Sequence, residues 1–528
     1  MKKILSLFLS VVLFFSLSVP VFSASVCNCG EPPIIYVAAL GSAKIIKDAG
    51  TENERILFRP DTGDVIKRFS PVIAAAGSLI LTKDYDAFGD VLIDCVNDVF
   101  GDLALDGNGN SKPNVTSPEA VPESSDHGLH TSYYFGYDFR LDPVENAEKL
   151  HKFIGEVKKL TNHSTVRFRA SSMGGVVALS YMRLFGTSDI ETIIFQCCPL
   201  LGTAVAGELF CGKVQIDKDA LLRYGEGALP ALDSDFFGGV LYALLEALNA
   251  AGVLNGLVNI ADDLVLHLKD RVYNECLIPI LSTLPGIWSF VPDEYYEEAK
   301  SFMKLDPTLQ SGLIKKLDFY HYEVQSKAKE LFESAKRTTN LYILAGYNMQ
   351  RTPLVTAYMN TSDGTVDTTY ASCGAVCAPL GEELPKDYVQ ARFSDKNYVS
   401  PDRMIDASTC LLPESTFFVK DMLHCKCHDG HAALYRLMFS SKEQFTVFDY
   451  PEYPQFLQND TVNKTFHPVE YSGSHLNTAF NCFAAMPSFL NFVKLITVLL
   501  KTLTAVKLKM RCCVFHSISF LFIVFIAV

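Results

Sequence analysis

Short apolar runs alternate with polar and helical stretches through most of the chain. At 144–160 apolar residues recur at i, i+3 and i+4, as at Leu150, Phe153 and Ile154, which predicts an amphipathic helix that Pro143 opens. Strands separated by helices usually pair in parallel, so the pattern predicts an α/β fold with a mostly parallel sheet and helices on both faces. The runs that predict strands are "PIIYVAAL" (33–40), "TVRF" (165–168), "IETIIFQCC" (190–198), "LYILAGY" (341–347) and "TFFVKDM" (416–422).

The amino terminus has the three-part pattern of a secretory signal. Lys2 and Lys3 precede an apolar run from Ile4 to Leu17, and small residues follow near Ala24. Residues 1–24 are therefore predicted to be a signal peptide, and the mature protein is expected to be secreted or extracytoplasmic.

The opposite end, 487–528, is apolar and suggests contact with a membrane. Lys494 and Lys501 lie on one narrow stripe of a predicted helix, a pattern typical of helices at a membrane surface. The apolar run that ends the chain is shorter than the roughly 20 residues a spanning helix needs. A helix packed on the body of the protein is the alternative.

These features predict five regions. The stretch 205–338 is largely helical and apolar, which predicts either a lid over an acyl pocket or a structural helical subdomain. The regions are a signal peptide (1–24), an α/β core (25–204 and 339–445), the helical insertion (205–338), a carboxy-terminal extension (446–486) and the apolar tail (487–528).

Composition and net charge limit the classes of partner expected for this protein. The chain has 528 residues, 49% of them apolar, enough for a large core. Its formal net charge of −13 and the lack of a clustered basic stretch argue against a nucleic-acid partner. No metal site is predicted, because no Cys-x2-Cys pair repeats at zinc-finger spacing, and no cofactor is predicted, because the single tryptophan and the scattered tyrosines form no cofactor motif.

The stretch "RFRASSMGGVVALSYM" (167–182) has the pattern of a nucleophile on a sharp turn between a strand and a helix. Ser172 has Ala170 two residues before it and Gly174 two residues after it, and such a turn requires small side chains at both positions. Ser171 fits less well, because Met173 would follow it at the second position. An ordinary Ser/Gly loop is the alternative.

An acidic candidate follows the run 341–347. "SDGTV" places Asp363 in a glycine turn, where it could also simply cap its own backbone. Sheets of this type that carry a catalytic triad use the chain order serine, acid, histidine, and Asp363 lies between Ser172 and the candidate histidines.

Three histidines follow the run 416–422 in "LHCKCHDGHAALYRLMF". His424 is closest to the end of the predicted strand, which favours it as the base, and His431 at the start of a predicted helix is a close second. His428 lies between them. The alternative for this stretch is a metal site, its ligands being Cys425, Cys427, His428 and His431.

Taken together, residues 32–440 resemble the lecithin:cholesterol acyltransferase and phospholipid:diacylglycerol acyltransferase group of α/β-hydrolases, which includes bacterial lipase-like members. The resemblance rests on "FGYDFRLDP", whose Tyr137-Asp138-Phe139-Arg140 corresponds to the family's Tyr-Asp-Trp-Arg motif with Phe in place of Trp, on the helix and turn that follow, on "PLLGTAVAGELFCG" (199–212) and on "SDGTV". It implies ester chemistry on lipids, with Ser172 as nucleophile, Asp363 as the acid that orients the base, and His424 as the base.

The chain departs from this family at two places. The segment after the first strand reads "VAALGSAK" where members carry a His-Gly or Pro-Gly pair, so the N–H groups of Leu40 and Met173 are the predicted oxyanion donors. Arg167 and Arg169 fall in a strand that should be buried on both faces, where a charge needs a partner.

Three functions follow as hypotheses. The first is a secreted serine ester hydrolase, a lipase or carboxylesterase, that acts on lipid acyl esters through an acyl-enzyme. The second is an O-acyltransferase on the same scaffold. The third is a non-catalytic lipid-binding protein on a decayed hydrolase fold, which predicts that the three triad side chains are not in hydrogen-bond reach of one another.

Overall fold

A computed structural model describes residues 27, 29–58, 62–215, 217, 220, 251–252, 254–351, 353–392 and 394–470. The predicted signal peptide (1–24) and apolar tail (487–528) lie outside the described residues. Within these ranges, no helix combines the length and the apolar character needed to cross a membrane.

The centre of the fold is one eight-stranded sheet. Thirteen strands are described in all: β1 (Ile34–Val37), β2 (Ile45–Lys47), β3 (Arg55–Phe58), β4 (Val115–Thr116), β5 (Ser132–Phe135), β6 (Val166–Ser171), β7 (Ile190–Gln196), β8 (Asn340–Tyr347), β9 (Val376–Cys377), β10 (Ile405–Asp406), β11 (Thr416–Lys420), β12 (Phe456–Asp460) and β13 (Thr465–Pro468). The order in the main sheet is β13-β12-β11-β8-β7-β6-β1-β5, and only β13 runs antiparallel to its neighbour. Strands β3, β2 and β4 form a second sheet, and β9 pairs with β10.

Both faces of the central strands of the main sheet are buried, as expected of parallel strands covered by helices. In β7 the side chains of Ile193 and Phe195 enter one apolar core, whereas Ile194 between them enters another. All five predicted strands are present, and the chain has the predicted α/β architecture with a mostly parallel sheet flanked by helices.

The described helices cover these two faces. They are α1 (Thr62–Thr82), α2 (Tyr85–Phe100), α3 (Pro143–Thr161), α4 (Met173–Phe185), α5 (Ala204–Phe210), α6 (Leu254–Asn259), α7 (Ala261–Val272), α8 (Ile278–Leu281), α9 (Pro285–Trp288), α10 (Asp293–Phe302), α11 (Ser311–Phe319), α12 (Ala328–Ala335), α13 (Thr368–Ala371) and α14 (Asp429–Ser440). Short 3-10 turns cover Gly101–Leu103, Thr356–Met359 and Ala407–Thr409, and π-helical turns cover Tyr273–Leu277 and Tyr320–Gln325. Helices α3, α4 and α12 share the core of Ile193, whereas α14 packs in the core of Ile194.

The helix predicted at 144–160 is α3. Asp142 caps it by accepting a hydrogen bond from Val144 N–H at 3.0 Å, and Pro143 occupies its first turn. Asn162, in the left-handed conformation at φ 58°, ends it. Local capping residues therefore account for both of its ends.

The predicted helical insertion (205–338) is helical over its described part. Helices α6 to α12 occupy 254–335, where α7 packs on α2 and α12 packs on α4. These helices therefore pack against helices of the predicted α/β core. Residues 236–250, most of the apolar stretch behind the lid prediction, lie outside the described residues.

The sheet continues past the predicted core boundary at residue 445. β12 pairs with β11 in register Phe418↔Phe456, and β13 closes against β12 as a hairpin. The rings of Phe418 and Phe456 stack at 5.6 Å between centroids. Residues 456–468 are therefore part of the core sheet, which corrects their assignment to an extension.

The two arginines of β6 both have partners. Arg167 pairs with Glu31 at 2.9 Å and lies 3.6 Å from Glu191. The guanidinium of Arg169 lies 4.2 Å from the ring centroid of Tyr36, a cation–π contact. Arg167 therefore has the acidic partners that a buried arginine requires, and the ring of Tyr36 stabilises the charge of Arg169.

Candidate active site

Ser172 lies at the junction of β6 and α4. Its backbone has φ 51° and ψ −124°, a strained conformation for a residue with a side chain. Two hydrogen bonds hold it there: Ser172 N–H donates to Gln196 O at 3.0 Å, and Gly175 N–H donates to Ser172 O at 2.9 Å. This is the predicted turn between a strand and a helix.

The small residues around Ser172 permit a close approach of backbone segments. A Cβ atom at Gly174 would overlap the carbonyl oxygen of Val37 at the end of β1. Ala170 is fully buried between its β-sheet neighbours, Val37 and Phe195. The first turn of α4 therefore rests directly on the chain that leaves β1.

A hydrogen-bonded chain joins the three residues predicted as a triad. His424 Nε2 lies 2.9 Å from Ser172 Oγ, and His424 Nδ1 lies 2.7 Å from Asp363 Oδ2. Each of the three residues is 1% exposed. They follow the carboxyl ends of β6, β8 and β11, which meet at one edge of the sheet.

Asp363 has both of the predicted roles: it caps its own turn, and it contacts the candidate base. Asp363 Oδ1 accepts hydrogen bonds from Thr365 N–H at 2.9 Å and Val366 N–H at 2.7 Å, so the residue does cap its own turn. Its second oxygen, Oδ2, contacts His424. Gly346 in β8 permits this position, because a Cβ there would lie 2.6 Å from the Cβ of Asp363.

A buried ion pair that the sequence analysis missed supports the same turn. Asp367 pairs with Arg351 at 2.9 Å and accepts a hydrogen bond from Ala204 N–H at 2.9 Å. Burial raises the pKa of Asp367, but the charge of Arg351 and the hydrogen bonds from Asn360, Arg351 and Ala204 together lower it below its usual value. Asp367 thus connects the turn of Asp363 to the start of α5.

The other two histidines serve the start of α14. His431 Nδ1 accepts a hydrogen bond from His428 N–H at 3.2 Å, and His431 Nε2 lies 3.1 Å from Met422 Sδ. Burial, followed by the charges of His428 and Arg169, lowers the pKa of His431 to about 3. His428 Nδ1 accepts from Gly430 N–H at 3.0 Å. The alternative base, His431, therefore caps a helix, and its ring nitrogens have partners other than Ser172.

The metal site considered at Cys425, Cys427, His428 and His431 is not assembled. Cys427 Sγ accepts from Gln196 Nε2 at 2.7 Å, and His428 Nε2 lies 2.7 Å from Asn459 Oδ1. Their ligand atoms therefore point to different partners.

The thiols of Cys197 and Cys425 lie beside the hydrogen-bonded chain of Ser172, His424 and Asp363. Ser171 Oγ donates to Cys425 Sγ at 3.3 Å, and Cys425 N–H donates to Cys197 Sγ at 3.4 Å. The ligand atoms of Cys197, His424 and Cys425 lie within 4.8 Å of one another, so a metal ion could bind there only in competition with the hydrogen bonds of His424. Nothing in the sequence points to the proximity of Cys197 and Cys425, which are separated by 228 positions.

The two neighbours His424 and Cys425 influence each other's protonation. Burial by itself lowers the pKa of His424, but the Asp363 carboxylate and the Cys425 thiol raise it above the usual range for histidine. Burial raises the pKa of Cys425, but the Cys197 thiol and the His424 ring lower it below the usual range for cysteine. The proton is therefore held more firmly on His424 than on an isolated histidine.

The chain that leaves β1 at Val37 and Ala38 lies beside the first turn of α4, and the predicted oxyanion donors, Leu40 and Met173, are close to this contact in sequence. Tyr137 Oη donates to Ala38 O at 2.8 Å, and Leu40 and Met173 are fully buried. Tyr137 is the first residue of the motif that continues to Arg140. Its hydrogen bond therefore gives that motif a role in holding the chain after β1.

The rest of the motif forms a buried ion pair. Arg140 donates to Asp138 through Nε at 3.0 Å and through Nη2 at 2.7 Å, and Arg140 is 0% exposed. Asn146 Nδ2 donates to Asp138 O at 2.9 Å. A bidentate, desolvated pair of this kind specifies the path of the chain between β5 and α3.

No protein-family model matches this chain, and a search of curated proteins finds no match.

Proposed function

We propose that the protein is a serine ester hydrolase of the α/β-hydrolase class that acts on lipid acyl esters. The observation that carries the proposal is the chain from Ser172 Oγ through His424 to Asp363, at 2.9 and 2.7 Å, with Ser172 in a strained turn. A serine is a weak nucleophile unless a base removes its proton, and this geometry supplies that base.

The proposed reaction has two steps. Ser172 Oγ attacks the ester carbonyl while His424 Nε2 takes its proton, and Asp363 stabilises the imidazolium that forms. His424 then gives the proton to the departing alkoxide, which leaves as an alcohol, and Ser172 remains acylated. Water attacks the acyl group, again with His424 as base, and the carboxylic acid and free Ser172 are produced.

Two features support the assignment of the remaining roles. The N–H groups of Met173 and Leu40 are the proposed oxyanion donors, because the chain after β1 rests on the first turn of α4. Apolar side chains, including those of Leu40, Met173 and Leu200, are fully buried around this turn. The substrate class, a lipid acyl ester, is proposed from the family resemblance.

Acyl transfer to an alcohol is the second candidate. Ser172 and His424 are each only 1% exposed, and limited access of water to an acyl-enzyme favours transfer over hydrolysis. The two hydrogen-bond distances count against the non-catalytic hypothesis, which predicts a triad out of mutual reach.

The test is labelling of the folded protein with a fluorophosphonate probe, which reacts with activated serines. Wild type should be labelled, Ser172→Ala should not, and Ser171→Ala should remain labelled. Ser171 is a matched control because it is the adjacent serine and its hydroxyl donates to Cys425. Labelling that persists in Ser172→Ala would contradict the assignment of the nucleophile. A folded wild type that is not labelled would favour the non-catalytic hypothesis.

Hydrolysis and transfer are separated by their products. With phosphatidylcholine vesicles and added dodecanol, a hydrolase releases mainly fatty acid, whereas an acyltransferase forms mainly dodecyl ester. Ser172→Ala should abolish both products.

A further inference from the structure

A second cluster of reactive side chains lies at the other edge of the sheet. It contains Cys27, Cys29, His127 and His163, and the ligand atoms of all four lie within 4.8 Å of one another. The members come from three separate segments: the chain ahead of β1, the loop ahead of β5, and the connection between α3 and β6. This cluster has no part in the mechanism proposed above.

The separations within the cluster are close to those of a tetrahedral site. His163 Nε2 lies 3.0 Å from His127 Nε2 and 3.4 Å from Cys29 Sγ, and His127 Nε2 lies 3.5 Å from Cys29 Sγ and 3.9 Å from Cys27 Sγ. Ligands at about 2.3 Å (sulfur) and 2.0–2.1 Å (nitrogen) from a tetrahedral zinc ion lie roughly 3.3–3.8 Å apart. Two of the four separations fall within this range, and the other two, at 3.0 and 3.9 Å, lie within about 0.3 Å of it, so the two sulfur and two nitrogen atoms are close to that geometry.

Hydrogen bonds with neighbouring backbone groups favour the protonation states of His127 and Cys29 that bind a cation. His127 Nδ1 lies 2.8 Å from Ser125 O, which places the ring proton on Nδ1 and leaves Nε2 with a lone pair directed at the cluster. Glu31 N–H donates to Cys29 Sγ at 3.4 Å, and such a donor stabilises a thiolate. A single shared proton can satisfy only one of the contacts among these atoms, whereas a cation at the centre satisfies all four ligands.

We propose that Cys27, Cys29, His127 and His163 bind one zinc ion. A set of two thiolates and two imidazoles in tetrahedral arrangement suits zinc, and four protein ligands close the coordination sphere, as in structural sites. The amino-terminal segment already lies against this region, because Cys27 N–H donates to Asn162 O at 2.8 Å. The ion would join the amino terminus, the loop before β5 and the loop before β6.

The position of the site separates it from the candidate active site. Cys29, His127 and His163 each precede the first residue of their strand, Ile34, Ser132 and Val166, by a few residues. The triad follows the opposite, carboxyl ends of the strands. The role of the zinc is therefore to hold the amino-terminal edge of the sheet together, and this proposal does not depend on the proposed function.

The test is the metal content of the full chain in its mature form, purified under reducing conditions without a metal-affinity step. After dialysis against equimolar zinc and then against buffer, wild type should retain about one zinc per chain. His127→Ala and Cys29→Ser should each lower zinc affinity by about 10-fold or more, since even changes to the partners of metal ligands cost that much. His130→Ala, an exposed histidine in the same loop, should retain the ion.

Cobalt substitution of wild type provides a measurement that does not require a folded variant. Tetrahedral cobalt with thiolate ligands should give intense visible bands and a near-ultraviolet charge-transfer band, and added zinc should remove both. A folded wild type that retains no zinc, a Cys27–Cys29 disulfide in that protein, or zinc that remains in His127→Ala at wild-type affinity would each overturn the proposal. Fluorophosphonate labelling reports on the active site independently, and it should be unchanged in His127→Ala.

Discussion

His424 Nδ1 lies 2.7 Å from Asp363 Oδ2, while the other oxygen of Asp363 is occupied by the N–H groups of Thr365 and Val366 at 2.9 and 2.7 Å. The two backbone donors determine which oxygen faces the histidine. The carboxylate therefore accepts a proton-bearing Nδ1, and Nε2 is left to accept the proton of Ser172.

Asp363→Asn should lower kcat by about 10⁴-fold without unfolding the protein. The amide oxygen must take the place of Oδ1 to keep the two backbone hydrogen bonds, so the NH2 group faces His424 Nδ1. The ring then carries its proton on Nε2 and cannot accept one from Ser172. Ester hydrolysis measured beside Asp429→Asn, an exposed acid close in sequence to His424, tests this. Activity within tenfold of wild type would contradict the role of Asp363.

His424→Ala and His431→Ala should have opposite effects on activity and stability. His424→Ala should abolish fluorophosphonate labelling because the base is lost. His431→Ala should remain labelled, but it should lose about 1 kcal/mol of unfolding free energy, because a partly buried N–H of His428 loses its acceptor. Urea unfolding and labelling of both variants check the assignment, which fails if His431→Ala is the one that cannot be labelled.

Gly174→Ala should destabilise the protein by about 3 kcal/mol, because the added Cβ overlaps the carbonyl oxygen of Val37 and neither backbone segment can move freely. Gly155→Ala is the matched control. Gly155 lies in α3 with nothing within 4 Å of an added Cβ, so alanine there should stabilise by about 0.5–1 kcal/mol. Urea unfolding of both variants measures the difference, and equal effects would contradict the close approach at Gly174.

Activity should rise with pH, with its midpoint above the usual histidine value of about 6.5, because only neutral His424 can take the proton of Ser172. The Asp363 carboxylate and the Cys425 thiol raise the pKa of His424 against the effect of burial. Cys425→Ala removes one of these two groups, so the midpoint should move to lower pH.

The measurement is the pH profile of kcat/KM for a soluble ester. Cys427→Ala is the control, because its thiol accepts from Gln196 and lies outside the hydrogen-bonded triad. A midpoint that stays unchanged in Cys425→Ala would show that the thiol does not influence the base.

The sequence was most informative where structure depends on neighbouring residues. The five predicted strands and α3 are present because apolar spacing and capping residues act over a few positions. The short strand β5 and the hairpin of β12 and β13 were missed. The missed strands SYYF, FLQND and TFHP mix polar and apolar residues, unlike the equally short apolar run IIYV of β1, and their pairing depends on distant neighbours.

The residues of the candidate site also divide into those that the local sequence supports and those that only the tertiary structure decides. The sequence alone supported Ser172, because the small residues around the turn are its immediate neighbours, and it supported Asp363 in a glycine turn. It left the base open between His424 and His431, because both are close to the end of β11. The structure brings His424 to Ser172 across 252 positions and gives His431 to a helix cap.

Local patterns in the chain were thus sufficient to predict the α/β type of fold, the turn at Ser172 and the glycine turn of Asp363. The choice of histidine, the thiols beside it and the cluster of two cysteines and two histidines depended on tertiary structure. Cys29 meets His127 and His163 across 98 and 134 positions. The physical reason is that pairing of distant strands in one sheet decides which strand ends, and therefore which side chains, come within bonding distance.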